Sequence, residues 1–381
     1  MHANPGDETV NLETDTSRAF EASIFDTLKL ATRMTIRDPR VALRAGFLLR
    51  QQHAAAKVRR AQRTRGIHVP PFVIYSITGR CNLNCFGCYS NILHVSERPE
   101  LSRERIGRLL GEARDLGISI MLVAGGEPLL RPDLLELTSQ APEILFLLFT
   151  NATLINSTLA AQLKRQPHVI PVLSLEGDES LTDARRGAGA HARVLDAMRL
   201  LRSYHVFFGT STTLTQENYA LATSESHLRD LIRRGCKLFY FINYIPVEPG
   251  TEDLQLSPER ARSFEERLTT YRRSMPSLFI AFPHDEVALG GCLAAGRGFL
   301  HINAYGDVEP CPFSPYSDRN LTQASLLEAI ESPLLRTIRE SDVRLDETDG
   351  RCALWKQRDW VERLASERTS LAAPSTSVAE E

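Results

Sequence analysis

Six short apolar runs punctuate the chain between residues 71 and 244. They read PFVIYSIT (Pro71–Thr78), ISIMLVA (118–124), ILFLLFT (144–150), VIPVLSL (169–175), VFFGTSTT (206–213) and KLFYFINY (237–244). These runs are largely continuous in apolar or β-branched residues rather than alternating, which predicts strands buried on both faces. Segments of helical character lie between them: Leu101–Leu116, Thr158–Lys164, Ala192–Tyr204 and Ser224–Arg234. Strands alternating with helices predict an α/β fold, a parallel sheet covered by helices. Six such units predict a partial (β/α)6 TIM-like barrel, with its chemistry at the C-terminal strand ends.

The flanks follow other patterns. Ile24–Arg37 and Val41–Arg65 read as two helices, broken near Asp38-Pro39 because proline clashes with the preceding turn. Leu28–Gly66 holds eleven Lys/Arg and one acid, Asp38. A basic amphipathic helix of this kind suits an anionic bilayer. Its apolar arc is broad enough to need protein cover, which favours packing on the barrel instead. After Tyr244, Ser257-Pro258 starts a helix that runs to about Arg273. A glycine-rich hairpin follows within 291–318, with FLHIN and DVEP as strands and Tyr305-Gly306-Asp307 as the turn. Met1–Thr16 and the tail after Ser366 lack an apolar period and read as disordered. The expected division is a leader over 1–20, a basic helical extension over 21–70, a core over 71–250, a linking helix over 251–283, a small cysteine-bearing C-terminal domain over 284–360, and a helix end and tail over 361–381.

A formal net charge of −2 over 381 residues argues against a nucleic-acid partner. MHANPGDETVN has neither a basic n-region nor an apolar h-region, and no apolar run reaches membrane-span length. The expected location is cytoplasmic, with peripheral membrane contact left to the basic helices. In that reducing compartment seven cysteines point to metal or catalytic use rather than disulfides.

Three of the seven crowd into GRCNLNCFGCYS as Cys81, Cys85 and Cys88. A closed structural zinc site needs four ligands, and a four-iron cluster has four corners that thiolates usually hold. Three thiolates on one loop leave a corner for something else. CxxxCxxC after a first strand, followed by GGEP after a second, resembles the radical SAM superfamily over about Pro71–Tyr244. The resemblance implies a [4Fe–4S] cluster on Cys81, Cys85 and Cys88 whose open iron chelates S-adenosylmethionine. It implies that Gly125, Gly126, Glu127 and Pro128 meet the methionine amino group. Ser174 and Glu176 stand where relatives contact the ribose, and Arg186 resembles the arginine that pairs with the methionine carboxylate, with Arg185 as its neighbour. Thr150, Asn151, Ser211 and Asn218 are ligand-facing or strand-end hydrogen bonders. Gly87 departs from the family, which often has an aromatic residue there. Phe86 and Tyr89 flank it, and Tyr89 is the nearby aromatic expected at the cofactor.

Cys292, Cys311 and Cys352 form a second group. Cys292-x13-Gly306-x4-Cys311 resembles the opening of SPASM/twitch auxiliary domains, shortened to one cluster. The resemblance implies a second, auxiliary [4Fe–4S] cluster, with Asp349 as a candidate fourth ligand ahead of Glu347. The alternative is that these cysteines are small buried hydrophobes, the role expected of Cys236. Asp285, Glu286 and Glu248 are candidate bases, and Tyr316 a candidate hydrogen donor. The family chemistry implied is reductive cleavage of S-adenosylmethionine to a 5′-deoxyadenosyl radical that takes hydrogen from an unactivated carbon. A flavodoxin- or ferredoxin-type electron donor is the implied partner. Oxidation of a small-molecule or natural-product intermediate ranks first. Ribosomal-peptide maturation, lipid or isoprenoid modification at a membrane face, and a zinc-binding scaffold are the alternatives.

Overall fold

The computed structural model describes residues 18–30, 39–341, 343, 345 and 351–372. Nine strands form one sheet: β1 (Phe72–Thr78), β2 (Ile120–Gly125), β3 (Leu145–Thr150), β4 (Val169–Ser174), β5 (Gly209–Leu214), β6 (Leu238–Asn243), β7 (Leu278–Phe282), β8 (Phe299–Ile302) and β9 (Val308–Glu309). Their order is β7-β6-β5-β4-β3-β2-β1-β8-β9. Every neighbouring pair from β7 to β8 is parallel, and only the β8–β9 hairpin is antiparallel. This is the partial barrel that the six βα units predict.

The helices between strands stop and start where local chemistry says they should. Helix Arg103–Leu116 is capped by the Ser102 side chain, which accepts from Arg105 N, and ends on left-handed Gly117. Helices Ser157–Arg165 and Glu225–Arg233 are likewise capped by Asn156 and Ser224. Their inner faces bury Ile106, Leu109, Ala160, Leu163, Leu228 and Leu231 against the sheet.

Two expectations need correction. The segment 251–283 is not only a linking helix. After helix Pro258–Ser274 it forms β7, which extends the sheet beside β6. The expected hairpin strand FLHIN also joins the main sheet, where β8 pairs with β1 in parallel register from Phe72↔Phe299 to Tyr75↔Ile302. The tail is not structureless after Ser366, since helix Arg358–Ala372 runs on for six residues.

At the other end a helix occupies 18–30, starting in the last three residues of the expected leader and continuing into the expected extension, and Pro39–Arg63 forms a second. Residues 31–38, which span the expected break, lie outside the described residues. These helices pack on protein. Phe20, Gln52, Ala56 and Arg59 are buried. Arg59 Nε donates to Glu21 Oε1 at 2.7 Å and its Nη1 to the Gly117 carbonyl at 2.5 Å, at the N-terminal side of β2. Among the described residues no helix is long and apolar enough to cross a membrane.

Candidate active site

The C-terminal ends of the strands open onto one cavity of about 250 Å³. Six cysteines line it: Cys81, Cys85, Cys88, Cys292, Cys311 and Cys352. The seventh, Cys236, is fully buried at the opposite end of β6, where its thiol bonds the Leu238 carbonyl.

The first three follow β1 directly, on a loop held by its neighbours. Gly126 N donates to Thr78 O and Glu127 N to Arg80 O, both at 2.8 Å. The approach is so close that a Cβ on Gly126 would lie 2.0 Å from Arg80 O. The first task of the paired glycines is thus to let the β2 loop dock on the cysteine loop. Gly87 has φ +62°, and a Cβ there would meet the Tyr244 hydroxyl at 2.7 Å. Tyr244, just past β6, lays its ring against Gly87 and lines the cavity. Phe86 N donates to Arg185 O, tying the loop to the β4 side as well.

Glu127 lines the cavity, but its carboxylate already has three internal donors. Oε1 accepts from Thr150 Oγ1 at 2.7 Å and Leu129 N at 3.0 Å, and Oε2 from Asn151 N at 2.7 Å. Burial raises its pKa, and these donors pull it back. The side chain therefore works as a strut between β2 and β3. Pro128 begins the short helical turn behind it and is buried outside the cavity wall. Asn151 donates from Nδ2 to Asn82 Oδ1 at 2.8 Å, a further brace on the cysteine loop.

Ser174 and Ser211, paired across β4 and β5, line the cavity with Arg185 and Arg186. Glu176 does not. It is 1 % exposed behind the two arginines, bonded to Arg185 Nη1 at 2.5 Å and to Arg186 Nε at 2.9 Å. Burial raises its pKa, but the two guanidinium groups outweigh that and hold it below the ordinary carboxylate range. The ribose-contact expectation is corrected accordingly: Glu176 orients the arginines. Burial raises the Cys81 and Cys85 thiols, and Arg186 and Arg185 draw Cys85 back down. Asn218 is turned to its own backbone, accepting from Thr215 N and donating to Thr213 O.

The second trio arrives from three separate segments. Cys292 follows the short helix His284–Val287, Cys311 follows β9, and Cys352 caps helix Ala353–Lys356 by accepting from Trp355 N. A bond from Ala295 N to Pro310 O brings the first two segments together. Tyr89 bridges the trios, lining the cavity with its ring 5.1 Å from Phe313. Asp349 and Glu347 lie outside the described residues.

Of the acids expected as bases, only Glu286 lines the cavity, and its Oε1 accepts from Leu293 N at 2.9 Å. Asp285 is turned away. It pairs with Arg272 at 2.6 Å and accepts from Ala281 N, so it locks β7 to the outer helix. Glu248 is half-exposed in the loop after β6, outside the wall. Tyr316 is also outside it, near Glu362 of the C-terminal helix. The sequence reading missed Asn243, Phe282 and Pro283, which line the cavity. SLFIAFP carries a strand signal of its own, five apolar residues before a proline. Phe149, Tyr240, Phe282, Phe299 and Phe72 make a continuous aromatic floor, with ring centroids 4.9 to 6.4 Å apart.

Soft thiols grouped in threes around one chamber suit iron–sulfur clusters. Residues 75–223 match the model of the radical SAM superfamily. The chain is 24% identical over 316 residues to the AdoMet-dependent heme synthase of Methanosarcina barkeri, covering 75% of this chain and 88% of that protein. It is 27% identical over 294 residues to the mycofactocin maturase MftC of Mycobacterium ulcerans, covering 72% and 78%. Among solved structures, Streptococcus suis SuiB bound to its precursor peptide SuiA superposes with a TM-score of 0.63 at 21% identity, over 80% of this chain and 74% of that one.

Proposed function

We propose, on the match of residues 75–223 to the radical SAM superfamily, that the chain is a radical SAM enzyme with a SPASM/twitch-like C-terminal region and that it modifies an unactivated C–H bond of a small-molecule or natural-product intermediate. The observation that supports this most is the lining of one chamber by all six clustered cysteines. Cys81, Cys85 and Cys88 would hold the cluster that supplies an electron for cleaving the sulfonium C–S bond of S-adenosylmethionine. Cys292, Cys311 and Cys352 would hold an auxiliary cluster able to accept the electron left on the substrate, making the net change an oxidation.

The chain's own residues do the rest. Arg185 and Arg186, held by Glu176, present positive charge to the chamber and suit a carboxylate. Ser174 and Ser211 offer hydroxyls at the β4 and β5 ends. The aromatic floor excludes water and gives an apolar substrate its surface. Glu286, which lines the chamber with Cys292, would receive a substrate proton. An external low-potential electron donor is required.

Maturation of a ribosomal peptide is the second reading, favoured by the similarity to the mycofactocin maturase and to SuiB bound to its precursor peptide. Anaerobic reconstitution tests the common core. About eight irons per chain are expected, and 5′-deoxyadenosine release on reduction with S-adenosylmethionine. Changing Cys81, Cys85 and Cys88 together to Ala should halve the iron and abolish release. Release that survives the triple change refutes the proposal.

A further inference from the structure

A buried polar cluster lies just outside the chamber wall. His301 on β8 faces Glu309 on β9 across the hairpin register, and His94 ends helix Tyr89–Leu93. Their side chains are 0 %, 2 % and 4 % exposed. One donor atom of each lies within 4.8 Å of the other two. His301 Nδ1 is 2.6 Å and His94 Nδ1 3.9 Å from the same oxygen, Glu309 Oε2.

The atoms pointing away from this centre are all engaged. His94 Nε2 bonds the Pro312 carbonyl at 2.8 Å, His301 Nε2 bonds Ser76 Oγ at 2.8 Å, and Glu309 Oε1 accepts from Asn303 Nδ2 at 2.7 Å. Outer partners of this kind orient histidine and carboxylate ligands towards a cation. Burial lowers the pKa of both histidines, favouring the neutral rings that ligation requires. Arg98 is committed to Asp307. Burial pushes the Glu309 carboxyl up to about 8, so a cation bound there would displace its proton. His94 also lines the surface cleft bounded by Arg80, Asn91, Arg98 and Tyr305, which gives an entry path.

We propose that His94, His301 and Glu309 form a site for one divalent cation of the zinc type, distinct from both cysteine groups. Zinc–ligand distances near 2.0–2.1 Å put tetrahedral ligands about 3.3 Å apart. The 2.6 Å and 3.9 Å separations reach that value with shifts of well under 1 Å each. The cation would clip the cysteine loop, through His94, to the hairpin that delivers Cys311.

The test uses the full chain, reconstituted anaerobically, equilibrated with zinc chloride and desalted. Metal analysis should find one zinc per chain. X-ray absorption at the zinc edge should show nitrogen and oxygen neighbours near 2.0–2.1 Å and no sulfur. His94→Ala and His301→Ala should each cut retained zinc at least tenfold with iron unchanged, and His94→Gln serves where the alanine form does not fold. Absence of zinc in the wild type, sulfur neighbours near 2.3 Å, or equal zinc in the variants overturns the site. This site stands or falls apart from the radical SAM reading, whose readouts are iron and 5′-deoxyadenosine.

Discussion

Replacing Gly126 by alanine would put a methyl group 2.0 Å from the Arg80 carbonyl and 3.0 Å from Cys81 N. Backbone cannot yield there without moving the cysteine loop. Gly126→Ala should therefore lower iron at the first trio and 5′-deoxyadenosine release together, while iron from the second trio stays. Glu176→Gln makes a different prediction. Removing the charge leaves two partly buried guanidinium groups with one neutral acceptor, a loss of about 3 kcal/mol for a broken buried pair. Its folded pKa is lowered, so its contribution is complete above the ordinary value of about 4.3 and is lost as pH falls through the folded value. Thermal midpoints of wild type and variant should differ by a constant amount at neutral pH and converge below about pH 4. A gap that persists in acid would show that the pair is not what Glu176 contributes. The sequence shows the types of these residues but not their direction. Asp285 and Glu286 are adjacent, yet only Glu286 enters the chamber, because Arg272 on a helix eleven residues or more upstream turns Asp285 outward. Glu176 and Arg186 read as two ligand contacts and prove to be one ion pair.

At the scale of elements, the basic extension is governed by a single buried arginine. Arg59 joins Glu21 of helix 18–30 to Gly117 and Ser119 at the base of β2. Arg59→Ala should release helix 18–30 first. Hydrogen exchange over 18–30 should rise sharply while β1–β3 stay protected, and exchange that rises everywhere at once would contradict this clamp. The same packing predicts that deleting residues 1–66 destabilises the core more than it changes co-sedimentation with anionic liposomes. β1–β6 were legible because both their faces are covered, so each is an apolar run bounded by turn residues. β7 carries the same kind of apolar run in SLFIAFP, but it lies inside the stretch 251–283 expected as a linking helix, so it was passed over. β8 was legible as a strand but not as β1's neighbour. Pairing across more than two hundred residues leaves no local trace, and only the packed sheet shows it.

Across the whole molecule, β8's place beside β1 is what unites the two cysteine groups. The strand that precedes Cys81 and the hairpin that precedes Cys311 share one sheet edge, so trios that are far apart in sequence face a common chamber. Spacing marked the first trio and a family resemblance the second; their convergence depended on topology. This shared chamber predicts an uncoupling experiment. Changing Cys292, Cys311 and Cys352 together to Ala leaves the first trio, Gly126 and the Glu176–Arg186 pair untouched, so reductive release of 5′-deoxyadenosine should continue. Iron should fall to about four per chain. If the second trio takes up the substrate's electron, the substrate radical then has nowhere to send it, and product should disappear while 5′-deoxyadenosine still accumulates. If the second trio only orients substrate, both yields should fall together, because a displaced C–H bond slows the hydrogen transfer itself. Deuterium placed at the reacting carbon and followed into 5′-deoxyadenosine separates the two outcomes. Transfer without product marks an electron acceptor, and loss of transfer marks a positioning cluster.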